Sequence, residues 1–293
     1  MFMTVAECGS MIKAAERLAC SRPVVSRAIA ELEATFGVPL LDRTARGIEL
    51  TQYGLALLAR SAAVFDELRQ SVIEIETLAD PNAGELRLGC LEPLMAGLVS
   101  AAIAQLSQKY PRLVFRTETG NATSQLRFLR ERKCEVVVTR QLPPPSEPDM
   151  REEALFHEKL AIVVGPGGKW PCTDRIALAD IVDEAWILAP HEVEPGSPIY
   201  EGFRSAALKV PRVNIFSYSL SLRYTLLQTG RFVTAVPRSA LHFGPRMPGM
   251  RTLPIELPAW HRPTVIMTLK DRSLSPVAKL FIATVRELAL LMV

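Results

Sequence analysis

Ser21-Arg22-Pro23-Val24-Val25-Ser26-Arg27, inside the longer stretch from Ser10 to Thr51, decides the fold. Ser10 and Ser21 each stand where a helix N-cap is wanted, just before an apolar periodic run. The first run carries Met11, Ala14, Ala15 and Leu18; the second carries Val25, Ile29, Leu32 and Phe36, spaced by four, three and four. Only Ala19 and Cys20 part the two runs, which leaves room for a tight turn between crossing helices. Pro23 falls in the first turn of the second helix, where its missing N–H removes no intrahelical bond. The opposite face of that helix is small, polar or cationic. Ser21, Arg22, Pro23, Ser26 and Arg27 lie on its N-terminal half, a composition suited to a DNA major groove. Helix-turn-helix is the reading that follows.

Gly37 is placed to end the helix. Leu40 to Leu50 reads as two short strands around a basic turn, a wing offering Arg43, Thr44 and Arg46 to phosphates or the minor groove. Ala14-Ala15-Glu16-Arg17-Leu18, Ser21 to Arg27, Leu32-Glu33, Phe36-Gly37-Val38-Pro39-Leu40-Leu41, Arg43 and Leu50-Thr51 together resemble the DNA-binding domain of LysR-type transcriptional regulators. The resemblance departs at Arg22, where the family usually has glutamine, and at Leu41, where it usually has phenylalanine. Ahead of Phe2 the family's first helix has further residues, so this chain is expected to show a shortened first helix.

At 293 residues the chain is long enough for two or three domains. Apolar residues at 48% and charged residues at 22% describe an ordinary globular protein. A net charge of only +3 excludes a polycationic coat protein; the basic excess is local, at Arg17, Arg22, Arg27, Arg43 and Arg46. Cysteines at 8, 20, 90, 134 and 172 are odd in number and form no C-x-x-C, which argues against a disulfide framework or a zinc site. No signal peptide or long apolar run appears, so a cytoplasmic location is expected.

Residues 1–52 are thus read as a winged helix-turn-helix. Residues 53–79 form a linker helix whose stripe of Leu58, Ala62, Phe65, Leu68, Val72, Ile75 and Ala79 wants a partner helix. Residues 80–84 are a hinge. Beyond it, alternating short apolar strands and amphipathic helices predict an α/β domain over 85–293 with parallel strands and right-handed crossovers. The resemblance favours two lobes of the periplasmic-binding type, the first over 85–164 and 267–293, the second over 165–266.

In open α/β sheets ligands sit beyond the carboxyl ends of strands. That rule nominates Cys90, Leu91, Glu92, Pro93, Gly120, Asn121, Thr139 and Arg140 in the first lobe, and His191, Ser217, Ser219 and Thr234 in the second. Arg140 and Arg223 are the residues that could pair an anion. No dinucleotide, P-loop, zincin or nucleophile-elbow motif is found, and no cofactor is expected. The Pro143-Pro144-Pro145 run reads as a stiff surface loop. The expected function is a LysR-type regulator that binds operator DNA as a homodimer through the linker helix. A small-molecule effector controls it; the resemblance adds a homotetramer and RNA polymerase as a further candidate partner. Two rivals stay open: an α/β enzyme or solute-binding protein with an N-terminal association module, and a constitutive DNA binder with a dead cleft.

Overall fold

The computed structural model describes residues 1–44, 47–80, 82–142, 147–167, 176–245 and 247–292. Arg46, Pro143-Pro144-Pro145, Trp170 and Cys172 lie outside them. The chain divides into two compact units, Met1–Val72 with Arg130–Arg132, and Ile73–Leu129 with Lys133–Val293.

The first unit opens with α1 (Phe2–Cys8), α2 (Met11–Arg17) and α3 (Arg22–Phe36). Its small core is Phe2, Val5, Ala14, Ala15, Val25, Ile29 and Leu40, so α1 supplies two buried side chains to it. Ser10 caps α2 by accepting from the Lys13 N–H, and Gly37 ends α3 in the left-handed conformation at φ 70°. Phe36 departs from the expected buried stripe: it is 52% exposed, because the last turn of α3 runs past the core it flanks. The two strands β1 (Leu41–Thr44) and β2 (Gly47–Leu50) pair antiparallel as the wing. Glu33 on α3 anchors them, its Oε1 accepting from the Leu40 and Leu41 N–H groups at 2.7 and 3.1 Å. Thr51 caps α4 (Gln52–Ala79) by accepting from the Gly54 N–H at 3.0 Å. Gly54 has to be glycine here, since a Cβ would lie 2.1 Å from the Leu40 carbonyl oxygen.

The second unit holds two mixed sheets. The first contains β3 (Ala83–Cys90), β4 (Arg112–Thr119), β5 (Val136–Arg140), β6 (Met150–Phe156) and β12 (Thr264–Leu269), in the order β4-β3-β5-β12-β6. The second contains β7 (Leu160–Val164), β8 (Ala185–Leu188), β9 (Val213–Phe216), β10 (Phe232–Pro237) and β11 (Arg251–Thr252), in the order β11-β7-β10-β8-β9. Between strands run α5 (Glu92–Leu94), a π-helical turn (Met95–Val99), α6 (Ser100–Lys109) and α7 (Ala122–Arg130). The second sheet carries α8 (Leu178–Ile181), a 3-10 turn (Pro190–Glu192), α9 (Pro198–Ser205), α10 (Leu220–Leu227) and α11 (Arg238–Phe243); α12 (Pro276–Ala289) returns to the first. Each sheet has its own apolar core, one around Leu86, Val136 and Phe281, the other around Ile162, Trp186 and Phe203.

Three expectations need correction. The strands are not all parallel: β12 runs antiparallel to β5 and β6, and β7 antiparallel to β10. The lobe boundary moves from 164 to the segment just before β7, because Leu160–Val164 pairs with β10 and β11 of the second sheet. The return crossing likewise ends at Thr264 rather than 267. The turn at Pro166-Gly167 follows β7 within the second lobe, and reads in sequence like a domain border. Finally, β6 is absent from the strands that the sequence pattern predicts: Arg151, Glu152 and Glu153 obscure its alternation, as charges on an edge strand do.

Candidate functional site

On α3, Val25 and Ile29 face inward, while Ser21, Arg22, Pro23, Arg27 and Ala30 are exposed and Ser26 is half-buried. Ser21 occupies the N-cap position without a side-chain cap bond. Its hydroxyl and the Arg22 N–H therefore stay available to an outside acceptor such as a phosphate, Pro23 having no N–H and Val24 donating to the Ser21 carbonyl. Arg43 and Thr44 lie on β1. Arg46, the other arginine expected of the wing, lies outside the described residues.

In the second unit the nominated residues fall into three groups. Some serve the framework. Cys90 is fully buried, its thiol donates to the Leu91 carbonyl at 3.2 Å, and burial pushes its pKa well up. Leu91 packs on the first core, and Pro93 is the second residue of α5. Thr234 is buried and its hydroxyl donates to the Ile187 carbonyl at 2.6 Å, tying β10 to β8. Others sit at an outer edge. Gly120 and Asn121 follow β4, the end strand of its sheet, and Asn121 Oδ1 is taken by the Ser124 N–H at 2.9 Å, a helix cap.

The third group meets between the lobes. Glu92, after β3, accepts from the Leu220 N–H of α10 at 3.0 Å, next to Ser219, which caps that helix through the Leu222 N–H. Burial raises the Glu92 pKa against the pull of that bond and of Arg223. Arg140, at the end of β5, lays its guanidinium 3.6 Å from the centroid of the Trp260 ring. Burial lowers its pKa to about 10, so it stays cationic at neutral pH. Thr139 precedes it on the opposite face of β5, buried, with a hydroxyl that has no partner among the described residues. His191 stacks between Tyr218 and Trp260, with centroids at 5.6 and 5.7 Å. Burial, then Arg140 and Arg223, hold His191 down at about 4, so the imidazole is neutral at pH 7.

Arg223 is not the anion anchor expected of it. It is 2% exposed, with Nη2 3.0 Å from Glu192 Oε2 and 2.7 Å from the Ser217 carbonyl, and Nη1 2.9 Å from the Ala235 carbonyl. A guanidinium so enclosed is spent on fixing the Ser217 loop and β10.

Two family models match. "Bacterial regulatory helix-turn-helix protein, lysR family" covers residues 1–55, and "LysR substrate binding domain" covers residues 79–290. The chain belongs to the LysR family. The HTH-type transcriptional regulator YybE of Bacillus subtilis (strain 168) is 28% identical over 96% of this chain and 94% of its own length. TfdS of Cupriavidus pinatubonensis, also an HTH-type transcriptional regulator, is 29% identical over 98% and 96%. The fold is shared with full-length CbnR bound to its target DNA (24% identity, TM-score 0.57, 98% of this chain and 97% of that one). It is shared too with a cysteine variant of full-length OxyR from Pseudomonas aeruginosa (20%, TM-score 0.64, 98% and 92%). The protein is therefore a LysR-type DNA-binding transcriptional regulator with an effector-binding domain, of a family of regulators rather than enzymes. No helix among the described residues is long and apolar enough to cross a membrane.

Within this LysR-type effector domain, Trp260, Tyr218 and Glu158 are the residues that strand-end reasoning missed. Trp260 sits in the return crossing before β12, clamped where its backbone N–H donates to the Glu158 carbonyl at 2.9 Å and its carbonyl meets His157 Nδ1 at 2.9 Å. Glu158 in turn accepts from the Ser239 N–H and hydroxyl at the start of α11. Placing the crossing at 267 puts Trp260 inside the second lobe and hides it. A lone tryptophan within a Pro-rich run, Pro258 to Pro263, is the available signal.

Proposed function

We propose that the protein is a cytoplasmic, effector-controlled repressor or activator that reads operator DNA with Ser21, Arg22, Pro23, Ser26 and Arg27 of α3, aided by Arg43, Thr44 and Arg46 of the wing. The exposed polar face of α3, with an uncapped N-terminus above a buried Val25 and Ile29, is the observation that carries this reading.

The homodimer is supported by α4. Phe65, Leu68, Val72 and Ile75, spaced by three, four and three, are each more than half exposed. Four such side chains at coiled-coil spacing gain about 1.5–3 kcal/mol each when a second helix covers them. Two α3 helices then meet two half-sites whose spacing follows from the dimer. The effector belongs between the lobes, at Glu92, Arg140, His191, Ser217 and Ser219. A ligand that binds two lobe arrangements unequally shifts their populations, and hence operator geometry.

A gel shift of the purified protein on DNA upstream of its own gene, against unrelated competitor, tests the reading, together with its mass in solution. Specific binding by a dimer or tetramer is expected. A monomer that binds no DNA specifically, upstream or in a genomic selection, overturns it.

A further inference from the structure

Between the lobes, nearly every charged group is already matched. Glu92 fills the N-terminus of α10, Glu158 that of α11, and Glu192 pairs with Arg223. Besides the Thr139 hydroxyl, two nitrogen donors here make no hydrogen bond among the described residues, and they are neighbours. The Arg140 guanidinium, packed on Trp260, makes no hydrogen bond or close ion pair among the described residues; Glu192 and Glu158 act on it only at longer range. The indole Nε1 of Trp260 is buried and also without an acceptor, in a residue only 8% exposed. A buried N–H without an acceptor costs about 1–3 kcal/mol, and a half-buried cation without a hydrogen-bonding anion keeps donors to offer. Side by side, they are the protein half of an anion site.

The surroundings define the rest of the ligand. Tyr218, His191, Trp260 and the Arg140 guanidinium succeed one another as stacked planes drawn from both lobes and the crossing between them. Tyr218, at the end of the stack away from Arg140, is 54% exposed. The imidazole in the middle is neutral, which leaves Arg140 as the cation of the stack. The other place where an anion would settle, the start of α10, is closed by the Glu92 carboxylate.

Resting on the reading that the effector binds between the lobes, we propose that this cleft selects a planar, aromatic or conjugated monocarboxylate. Its carboxylate is gripped by Arg140 and Trp260 Nε1, and its flat body lies against the Trp260–Arg140 end of the stack. A second carboxylate on the ligand meets Glu92 and is rejected.

The test uses the full chain in thermal-shift titrations with benzoate, cinnamate and nicotinate, against benzamide and phthalate at matched ionic strength. At least one monocarboxylate should raise the melting temperature saturably by about 2–4 °C, with benzamide and phthalate weaker by about tenfold or more. Arg140→Gln should abolish the response. Trp260→Phe, which keeps the ring and loses the N–H, should weaken it about tenfold, and stands in if Arg140→Gln fails to fold. A monocarboxylate response that survives both substitutions overturns the proposal. So does a cleft that takes benzamide as well as benzoate, although effector binding between the lobes then stands. If no monocarboxylate shifts the melting temperature, the proposal fails outright. The cleft reading is then judged separately, by whether any neutral or cationic metabolite produces a shift that Trp260→Phe alters.

Discussion

The carboxylate of Glu92, on the first lobe, accepts the backbone N–H of Leu220, on the second, at 3.0 Å. A residue nominated as a ligand contact is thus a tether between lobes. Its charge gains from the free N–H groups at the start of α10, by about 0.3–1 kcal/mol at an exposed site and up to about 2 when partly buried. Burial opposes that gain and raises the carboxyl pKa. Nearby, the glycine at 97 lets α11 approach the π-helical turn, since a Cβ there would meet the Ala240 backbone at 2.8 Å. The lobes therefore meet through an adjustable polar link beside a close, rigid contact.

Cutting that link should loosen α10 locally. With Glu92→Ala, the amides of Leu220 to Leu222 should exchange with solvent faster by about tenfold, the equivalent of about 1.4 kcal/mol. Glu92→Gln keeps an acceptor and should lie between. Hydrogen exchange read by mass spectrometry on the peptide covering α10 decides it. Unchanged protection there in Glu92→Ala would show that the bond contributes nothing to the lobe arrangement.

Arg223 and Glu192 make a pair that is almost wholly enclosed, at 3.0 Å. Replacing one partner strands the other, at a cost of about 3–5 kcal/mol. Arg223→Met should therefore lower the melting temperature of the effector unit by about 10 °C. Adding Glu192→Gln removes the stranded charge and keeps an acceptor for the Ala189 N–H, which Glu192 Oε2 now holds at 2.6 Å. Thermal unfolding should find the double variant more stable than Arg223→Met alone. If it is less stable, the damage comes from lost Ser217 and Ala235 contacts instead.

His191 carries a pH signature. Its folded pKa of about 4 lies below the ordinary value near 6.5, chiefly through burial. As pH falls below about 6.5 the unfolded chain takes up this proton first, so stability declines until about pH 4 and then levels. The full shift would be worth about 3 kcal/mol; allowing for partial exposure, about 2 is expected. Glu92 and Glu158, both raised by burial, act in the opposite sense, favouring the fold at low pH and less as pH rises. His191→Phe keeps the stack and removes only the first effect. Urea unfolding from pH 7 to 4 should show a flatter curve for the variant; parallel curves would refute the assignment.

How much of the fold is legible in the sequence follows from which residues speak locally. The caps and periodicity of Ser10 to Thr51 depend on neighbours three or four positions away, and α2, α3, the wing and α4 follow from them. The α/β character of the remainder is legible as strand–helix alternation, while its division into two lobes comes from the family resemblance and not from the alternation. The lobe boundary is not legible, because β7 joins the second sheet through β10, some seventy residues on, and nothing near Leu160 records that pairing. The cleft shares this fate. Strand ends point to Arg140 and His191, whereas Trp260, which joins them, belongs to no strand. Cys90 does end its strand, whereas Thr234 lies inside β10, and both side chains turn into the framework, which alternation alone does not decide for a strand buried on both faces.

The recognition surface gives the most direct prediction. Arg27 lies one turn into α3, exposed, on the side opposite Val25 and Ile29, and among the described residues it makes no hydrogen bond or ion pair. Nothing in the fold depends on it, so Arg27→Ala should leave the melting temperature unchanged. Operator affinity should fall about 10- to 100-fold, the worth of one arginine contact of about 1–3 kcal/mol. Salt dependence then separates two roles. If Arg27 grips a phosphate, the slope of log affinity against log salt becomes shallower by about one, and all sequences suffer alike. If it forks onto a guanine edge, the slope changes little and discrimination relaxes at one base pair of each half-site. The small neighbours Pro23, Ser26 and Ala30 let the helix backbone approach closely, and that favours the base edge. Filter binding at several salt concentrations, on the operator and on single-base variants, distinguishes these outcomes. Unchanged affinity throughout would remove α3 as the reading element.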